Sequence, residues 1–224
     1  METEPKIIYK KDDCVVVYKP QGWLTVGRDT GKLSLENWLL ENVIESRELY
    51  RAGIVHRLDR ETSGGVLVAL SEAAAVWYSS QFKQRAVEKY YWCFVSGKSS
   101  GWGKIEMPIG MWRGKGVVKR KVKIDGKMAI TEFWREAIGR KDGLTYSWLK
   151  VRIYTGRTHQ IRVHLNYLGW PIVGDRWYGK TKEARLMLHE GFLGVSSKDG
   201  GRVAVEIPIP LNMREILKQY EIET

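Results

Sequence analysis

Apolar and β-branched residues gather in short runs along most of this chain, and the spacing inside each run separates strands from helices. Runs over 6–9 and 14–18, parted by Lys11-Asp12-Asp13, predict two strands. The second ends where Pro20 offers no backbone donor and Gly22 tolerates a turn. Leu35, Trp38, Leu39 and Val43 recur at helical spacing behind Ser34, a residue type that caps helix N-termini, which predicts a helix to about residue 45. Ser71 caps a second helix in the same way, running to about residue 85. Between them, Ile54-Val55 and the apolar run 66–70 enclose a charged stretch, which predicts a loop between two buried strands with Thr62, Ser63, Gly64 and Gly65 as its turn formers.

From Glu88 onward the pattern is mainly strand. Lys89, Tyr91, Cys93 and Val95 alternate with Tyr90, Trp92 and Phe94, so Tyr91 and Tyr90 point to opposite faces. Runs over 128–135 and 145–154 predict a strand pair about a turn at 139–143. Thr158 is placed to cap a helix in which Ile161, Leu165 and Leu168 face the core, closed by Gly169 and Pro171. A loop over 173–179, strands over 186–189 and 203–207, and a helix from Asn212 to about residue 220 complete the chain. Adjacent strands with scattered helices, and no repeat or low-complexity linker, predict an α+β fold on a mostly antiparallel sheet, a single domain over 1–224.

Charge changes the picture. The 224 residues carry 37 Lys and Arg against 26 Asp and Glu, a net charge of +11, which suits a polyanionic partner. Residues 113–127 concentrate it. If 118–124 is extended, Lys119, Lys121 and Lys123 share one face, as point charges suited to phosphates. Ten Trp and eleven Tyr can stack on bases, although most must fill the core. Cys14 and Cys93 lie far apart among apolar residues, as buried free thiols in a reducing compartment. The acidic N-terminus and the lack of any run near 18 apolar residues argue against a signal peptide or membrane span, so the cytoplasm is expected.

Candidate chemistry sits in two stretches. The first, residues 53–65, places Asp59 between Arg57 and Arg60 on a loop anchored by core strands, a setting that holds side chains in fixed positions. A lone Arg-Asp pair is ordinarily structural. Here the motif is long and a second loaded stretch, residues 155–165, follows it. There Arg162 projects from the edge of the buried helical stripe. His159 and His164, five residues apart, share a face on neither helix nor strand, so no metal site is expected.

These residues resemble the RluA-type pseudouridine synthases. The likeness rests on Lys19-Pro20-x-Gly22, His56-Arg57-Leu58-Asp59-x-x-Thr62-Ser63-Gly64, Lys89-x-Tyr91, Gly156-Arg157-Thr158-His159-Gln160-Ile161-Arg162-x-His164, Gly174-Asp175-x-x-Tyr178-Gly179 and Leu188-His189, in family order. It implies the family's sheet with an active-site cleft across it, and isomerisation of uridine to pseudouridine in ribosomal RNA or tRNA without metal or cofactor. Asp59 is implied as the essential carboxylate. Attack on the sugar, addition to the base and proton movement all require it close to a flipped nucleotide. Tyr91 is implied to pack on the target base, Arg162 to pair with Asp59, Arg57 to fill the gap left by the flipped base, and Leu165 to lie beneath the base. His56 and Thr62 are implied RNA contacts, and a monomer is expected. Two features depart from the family: Glu190 follows Leu188-His189 where a small residue is usual, and only 18 residues precede Lys19, which suggests no N-terminal RNA-binding module.

Two other readings compete. A catalytically silent RNA-binding protein on the same fold explains the charge but not the joint presence of Asp59, Tyr91 and Arg162. A carboxylate-dependent hydrolase lacks a second carboxylate at a suitable local spacing beside Asp59.

Overall fold

The structure, a computed structural model, describes residues 3–27, 31–114, 116–181 and 183–222. Lys115 of the basic run therefore lies outside the described residues. Ten strands and four α-helices follow in the order β1 (Lys6–Lys11), β2 (Cys14–Lys19), α1 (Leu35–Asn42), β3 (Ser63–Ala69), α2 (Glu72–Gln84), β4 (Glu88–Ser96), β5 (Trp102–Gly114), β6 (Val117–Val122), β7 (Lys127–Lys141), β8 (Leu144–Ile153), α3 (Gln160–Tyr167), β9 (Leu188–Ser196), β10 (Arg202–Glu206) and α4 (Leu211–Lys218) among the described residues. This is the α+β class that the pattern predicts. Contacts gather the chain into two compact units, Met1–Lys89 with Glu190–Pro208, and Tyr90–His189 with Ile209–Thr224.

In the first unit the strands run in the order β1-β2-β3-β9, with β10 also paired to β9. Every residue of β2 and β3 is buried, which is why both read as near-continuous apolar runs. Cys14, Val16, Leu67, Tyr78, Leu193 and Val205 share one core cluster. Ser71 caps α2 by accepting from the Ala74 N–H, and Tyr78 on that helix donates its hydroxyl to Asp13 at 3.0 Å.

Two expectations fail here. Ile54 makes only an isolated bridge to Val68 rather than a strand. Ser63, Gly64 and Gly65 are not a turn but the start of β3, with Gly64 opposite Lys19 and Gly65 opposite Tyr18. The glycines serve close approach: a Cβ on Gly64 would lie 2.5 Å from the Glu190 Cβ and 2.9 Å from its backbone nitrogen.

In the second unit the order is β4-β8-β7-β5-β6. β7 and β8 extend into the predicted turn and close inside it on Asp142-Gly143, both at positive φ (51° and 72°), the backbone that a two-residue hairpin turn needs. Tyr91, Cys93 and Val95 of β4 are buried. Helix α3 packs on β5, β6 and β7, with Val163 joining Ile109 and Ala129 in a core cluster.

Several boundaries move. Thr158 is exposed and does not cap α3; His159 takes the cap position with φ 58° and no side-chain capping bond. Leu168 lies past the helix and is exposed, so the core stripe is carried by Ile161 and Leu165. Lys123 follows the end of β6 and does not share its face. Helix α4 begins at Leu211 behind Pro210, while the side chain of Asn212 accepts instead from Arg185.

Candidate active site

The loop carrying Asp59 is held by its backbone. Lys19 is fully buried, and its ammonium donates to the carbonyls of Pro20 and Trp23 at 2.9 Å and of Arg60 at 3.3 Å. Gly22 and Arg60 clasp each other, the Gly22 N–H donating to the Arg60 carbonyl (2.8 Å) and Arg60 Nε donating to the Gly22 carbonyl (2.9 Å). The Lys-Pro-x-Gly stretch is therefore the cradle of the Asp59 loop. On the other side of Asp59, Leu58 is buried and the Thr25 hydroxyl both donates to its carbonyl (2.8 Å) and accepts from its N–H (3.1 Å). The Thr62 N–H donates to the Asp59 carbonyl at 3.0 Å, closing a tight turn.

With its neighbours fixed, Asp59 is left half-buried between exposed Arg57 and exposed Arg60. The two arginines differ. Arg60 turns its Nε to Gly22 and so belongs to the cradle, whereas Arg57 has no hydrogen bond or ion pair among the described residues. Thr62 is buried, and His56 supports the loop: its Nε2 accepts from the Leu67 N–H at 2.9 Å, and its ring stacks on Phe82 with centroids 4.5 Å apart. Burial, aided by the charge of Lys89, pushes the His56 pKa down to about 3, so the ring is neutral. Burial also lowers the Lys89 pKa, and the charge of Glu190 works against that shift.

The second stretch is held by side chains. Gln160 accepts from the Thr155 hydroxyl (2.7 Å) and the Arg157 N–H (3.0 Å), and donates to the Ile130 carbonyl and the Thr131 hydroxyl, both at 3.0 Å. His164, fully buried, lies 2.9 Å through Nδ1 from that hydroxyl and 3.1 Å through Nε2 from the Met107 carbonyl. Because the Met107 carbonyl can only accept, the proton of the neutral ring sits on Nε2 and donates to it, and Nδ1 accepts from the Thr131 hydroxyl. Burial lowers the His164 pKa, partly offset by the Met107 bond. These residues rivet the start of α3 to β5 and β7.

Arg162 is buried, and its guanidinium makes a two-point bond to Asp175, Nε to Oδ2 and Nη2 to Oδ1, each 2.8 Å. Asp175 Oδ1 also accepts from the Trp177 and Tyr178 N–H groups at 2.9 and 3.1 Å, and the Tyr178 ring lies 5.3 Å from the guanidinium carbon. Gly174 makes this turn possible: it has φ 75°, and a Cβ there would lie 1.7 Å from the Arg185 carbonyl oxygen. Asp175 is thus an ion-pair partner of Arg162 that local spacing does not reveal; its only signal was the Gly-Asp-x-x-Tyr-Gly pattern.

Among the other expected residues, Tyr91 is buried on β4 opposite Val151, and Leu165 is fully buried in α3. Lys119 donates to the Trp177 carbonyl at 2.7 Å, Lys121 sits 4.0 Å over the Trp112 ring, and Lys123 pairs with Asp125 at 2.9 Å. Each of the three thus has a partner within the chain. Among the described residues no group of three or more His, Cys, Asp or Glu is placed to hold a metal ion, and no helix is long and apolar enough to cross a membrane.

Comparison with known proteins accounts for this arrangement. Residues 13–167 match the family model described as RNA pseudouridylate synthase. The chain is 41% identical over 182 residues to an uncharacterized RNA pseudouridine synthase of Aquifex aeolicus, and 34% identical over 235 residues to a ribosomal large subunit pseudouridine synthase D of Neisseria meningitidis serogroup B. These alignments cover 77% and 97% of this chain but only 55% and 61% of the relatives' length. Among solved structures, human RNA pseudouridylate synthase domain containing 1 superposes with a TM-score of 0.79 at 29% identity, covering 94% of this chain and 85% of that one. Human RNA pseudouridylate synthase domain containing 4, at 21% identity and a TM-score of 0.77, shares the fold. By the extent of the family match and the identity of its relatives, the chain belongs to the RNA pseudouridylate synthase family.

Proposed function

We propose that this protein isomerises uridine to pseudouridine in RNA, with Asp59 as the essential carboxylate acting on a flipped-out nucleotide. The observation that carries the reading is the family match over 13–167, which contains the Asp59 loop, Tyr91 and the Arg162 helix. In the reaction the bond from ribose C1′ to uracil N1 breaks, a bond from C1′ to C5 forms, and the C5 proton is replaced by one on N1. Composition is unchanged, so the reaction consumes neither cofactor nor second substrate. Tyr91 packs on the target base, Arg162 supplies positive charge to the reacting carboxylate, and Leu165 supports the base from below. Arg57, exposed and unengaged among the described residues, is the side chain suited to fill the space that the base vacates. His56 and Thr62 hold the loop on which these contacts depend. The chain acts as one catalytic domain, as a monomer in the cytoplasm. Ribosomal RNA or tRNA is the substrate, and the name of the Neisseria relative favours ribosomal RNA.

The test is to incubate the protein with cellular RNA and map pseudouridine, a mass-silent product. Asp59→Asn and Asp59→Ala abolish product while RNA affinity, which comes chiefly from phosphate contacts, persists. Turnover within about tenfold of wild type in either variant, against the 10²–10⁴ that a positioned acid-base group typically contributes, removes Asp59 from the mechanism. The basic hairpin recruits RNA without chemistry. Replacing Lys119, Lys121 and Lys123 with Ala flattens the salt dependence of binding by about 0.7–0.9 per lost phosphate contact and leaves turnover at saturating RNA nearly unchanged. An unchanged slope makes the hairpin an ordinary solvated arm.

A further inference from the structure

β6 has a strand partner on one side only among the described pairings, and α3 packs against it. Between them is a cavity of about 360 Å³, walled by Lys119, Arg120 and Lys121 of β6, by Tyr167 of α3, and by Trp177 and Tyr178 of the turn that follows Asp175. Among the described residues no acidic side chain lines it. Val122 and Val163 give it an apolar floor. Its walls are fixed in place. Lys119 donates to the Trp177 carbonyl, the Arg120 N–H donates to the Tyr178 hydroxyl at 3.2 Å, and the same hydroxyl meets His159 Nδ1 at 2.9 Å.

Resting on the proposed function, we infer that this cavity is a second nucleobase subsite, which takes an unpaired base next to the target uridine in the RNA strand. A free phosphate would need the cations alone. Aromatic walls, an apolar floor and a volume within the range of small-molecule pockets instead fit a planar base with its phosphate at the lysine rim. A base stacked in a duplex cannot enter such a recess, whereas a base splayed out of a single-stranded loop can. Trp177, 45% exposed and edge-on to His159, offers a ring for stacking. The subsite is also built into the reaction centre's frame, because the Asp175 carboxylate that grips Arg162 accepts from the backbone of Trp177 and Tyr178.

The experiment compares a labelled dodecamer of cytidylate with an abasic ribose-phosphate strand of equal length, at one salt concentration. The two have the same phosphates, and neither contains a target uridine. Wild type prefers the base-bearing strand by about tenfold, within the range expected for one base stacked on an aromatic side chain. Asn166, exposed on α3 at the cavity's edge, allows the cavity to be plugged by Asn166→Trp, and Trp177→Ala removes a wall. Both variants lose most of the preference and keep the affinity for the abasic strand. Equal binding of the two strands by wild type, or an undiminished preference in Asn166→Trp, overturns the subsite. Pseudouridine formation on cellular RNA, measured in parallel, tests the proposed function separately: an inactive wild type defeats that reading whatever the strand preference shows.

Discussion

The Asp59 loop and the Arg162 helix carry the two charged residues of the proposed chemistry, and they are built on opposite plans. Around Asp59 the fixed points are backbone groups: Lys19 and Thr25 take the carbonyls and an N–H of Arg60 and Leu58, so the loop's path is set while Arg57 stays unengaged. Around Arg162 the fixed points are side chains, and the guanidinium itself is gripped at two points by Asp175. A loop held by its backbone can present a side chain such as that of Arg57 to a substrate without committing it to an internal partner. A buried arginine must be committed, because its charge is tolerated in the interior only with a partner.

The comparison breaks most visibly at Asp175. Removing one member of a buried, hydrogen-bonded ion pair costs about 3–5 kcal/mol, so Asp175→Ala destabilises the fold by that order in denaturant unfolding and abolishes turnover. A variant that unfolds within about 1 kcal/mol of wild type means that solvent or another group replaces Asp175 readily, against what is normal for a buried pair. Lys19→Met is the matching cut in the loop. It strands the Pro20 and Trp23 carbonyls and leaves that of Arg60 with the Gly22 N–H. The net loss is roughly 2–3 kcal/mol, because removing the buried charge also removes its desolvation cost, which offsets part of the about 1.5–3 kcal/mol that each hydrogen bond to a charged group contributes. The loop then drifts, and kcat falls more than RNA affinity does.

The contrast also explains how much the chain betrayed in its sequence. Strands β1 and β2, the helices capped by Ser34 and Ser71, and the alternation that separates Tyr91 from Tyr90 were legible because periodicity and capping are local. Lys19 was legible only as part of the Lys-Pro-x-Gly pattern: nothing local tells that a lysine will be fully buried on carbonyls that include one 41 residues away. Gly64 and Gly65 read as turn formers because glycine serves both turns and close approaches, and only the arrival of Glu190 decides between them. The cap of α3 was misplaced by one residue because His159 adopts the left-handed region, which its type tolerates better than most but does not announce. Arg60 was read as a flank of Asp59, although its Nε goes to Gly22.

Gly64→Ala sharpens the contrast on the loop's side with a smaller effect. The added methyl meets Glu190 backbone atoms at 2.9 Å, which cannot swing aside as a flexible side chain can. Overpacking of this kind costs about 1–3 kcal/mol, read as a lower denaturant midpoint. Because Gly64 faces Lys19 across β2 and β3, the variant also lowers kcat. A midpoint equal to that of wild type indicates that β9 yields at Glu190.

Each region also contains a neutral histidine, and titration distinguishes them. His56 has its pKa lowered from 6.5 to about 3, so the unfolded chain binds a proton that the folded one refuses. Its contribution to stability is present above pH 6.5 and is lost progressively as the pH falls toward 3. The decline is at most about 1.4 kcal/mol per pH unit for one proton. His164 shifts in the same direction, so wild type alone cannot separate the two. In His56→Asn the loop loses its ring on Phe82 and its acceptor for Leu67, but also its proton-sensitive group. The variant is less stable than wild type at pH 7, and the gap closes between pH 6.5 and pH 4. His164→Asn, cut loose from Thr131 and Met107, keeps the acid sensitivity that His56 supplies. A gap between wild type and His56→Asn that stays constant over that range means that His56 accepts its proton without disturbing the loop, and then its hold on the Leu67 N–H is not what keeps Asp59 in place.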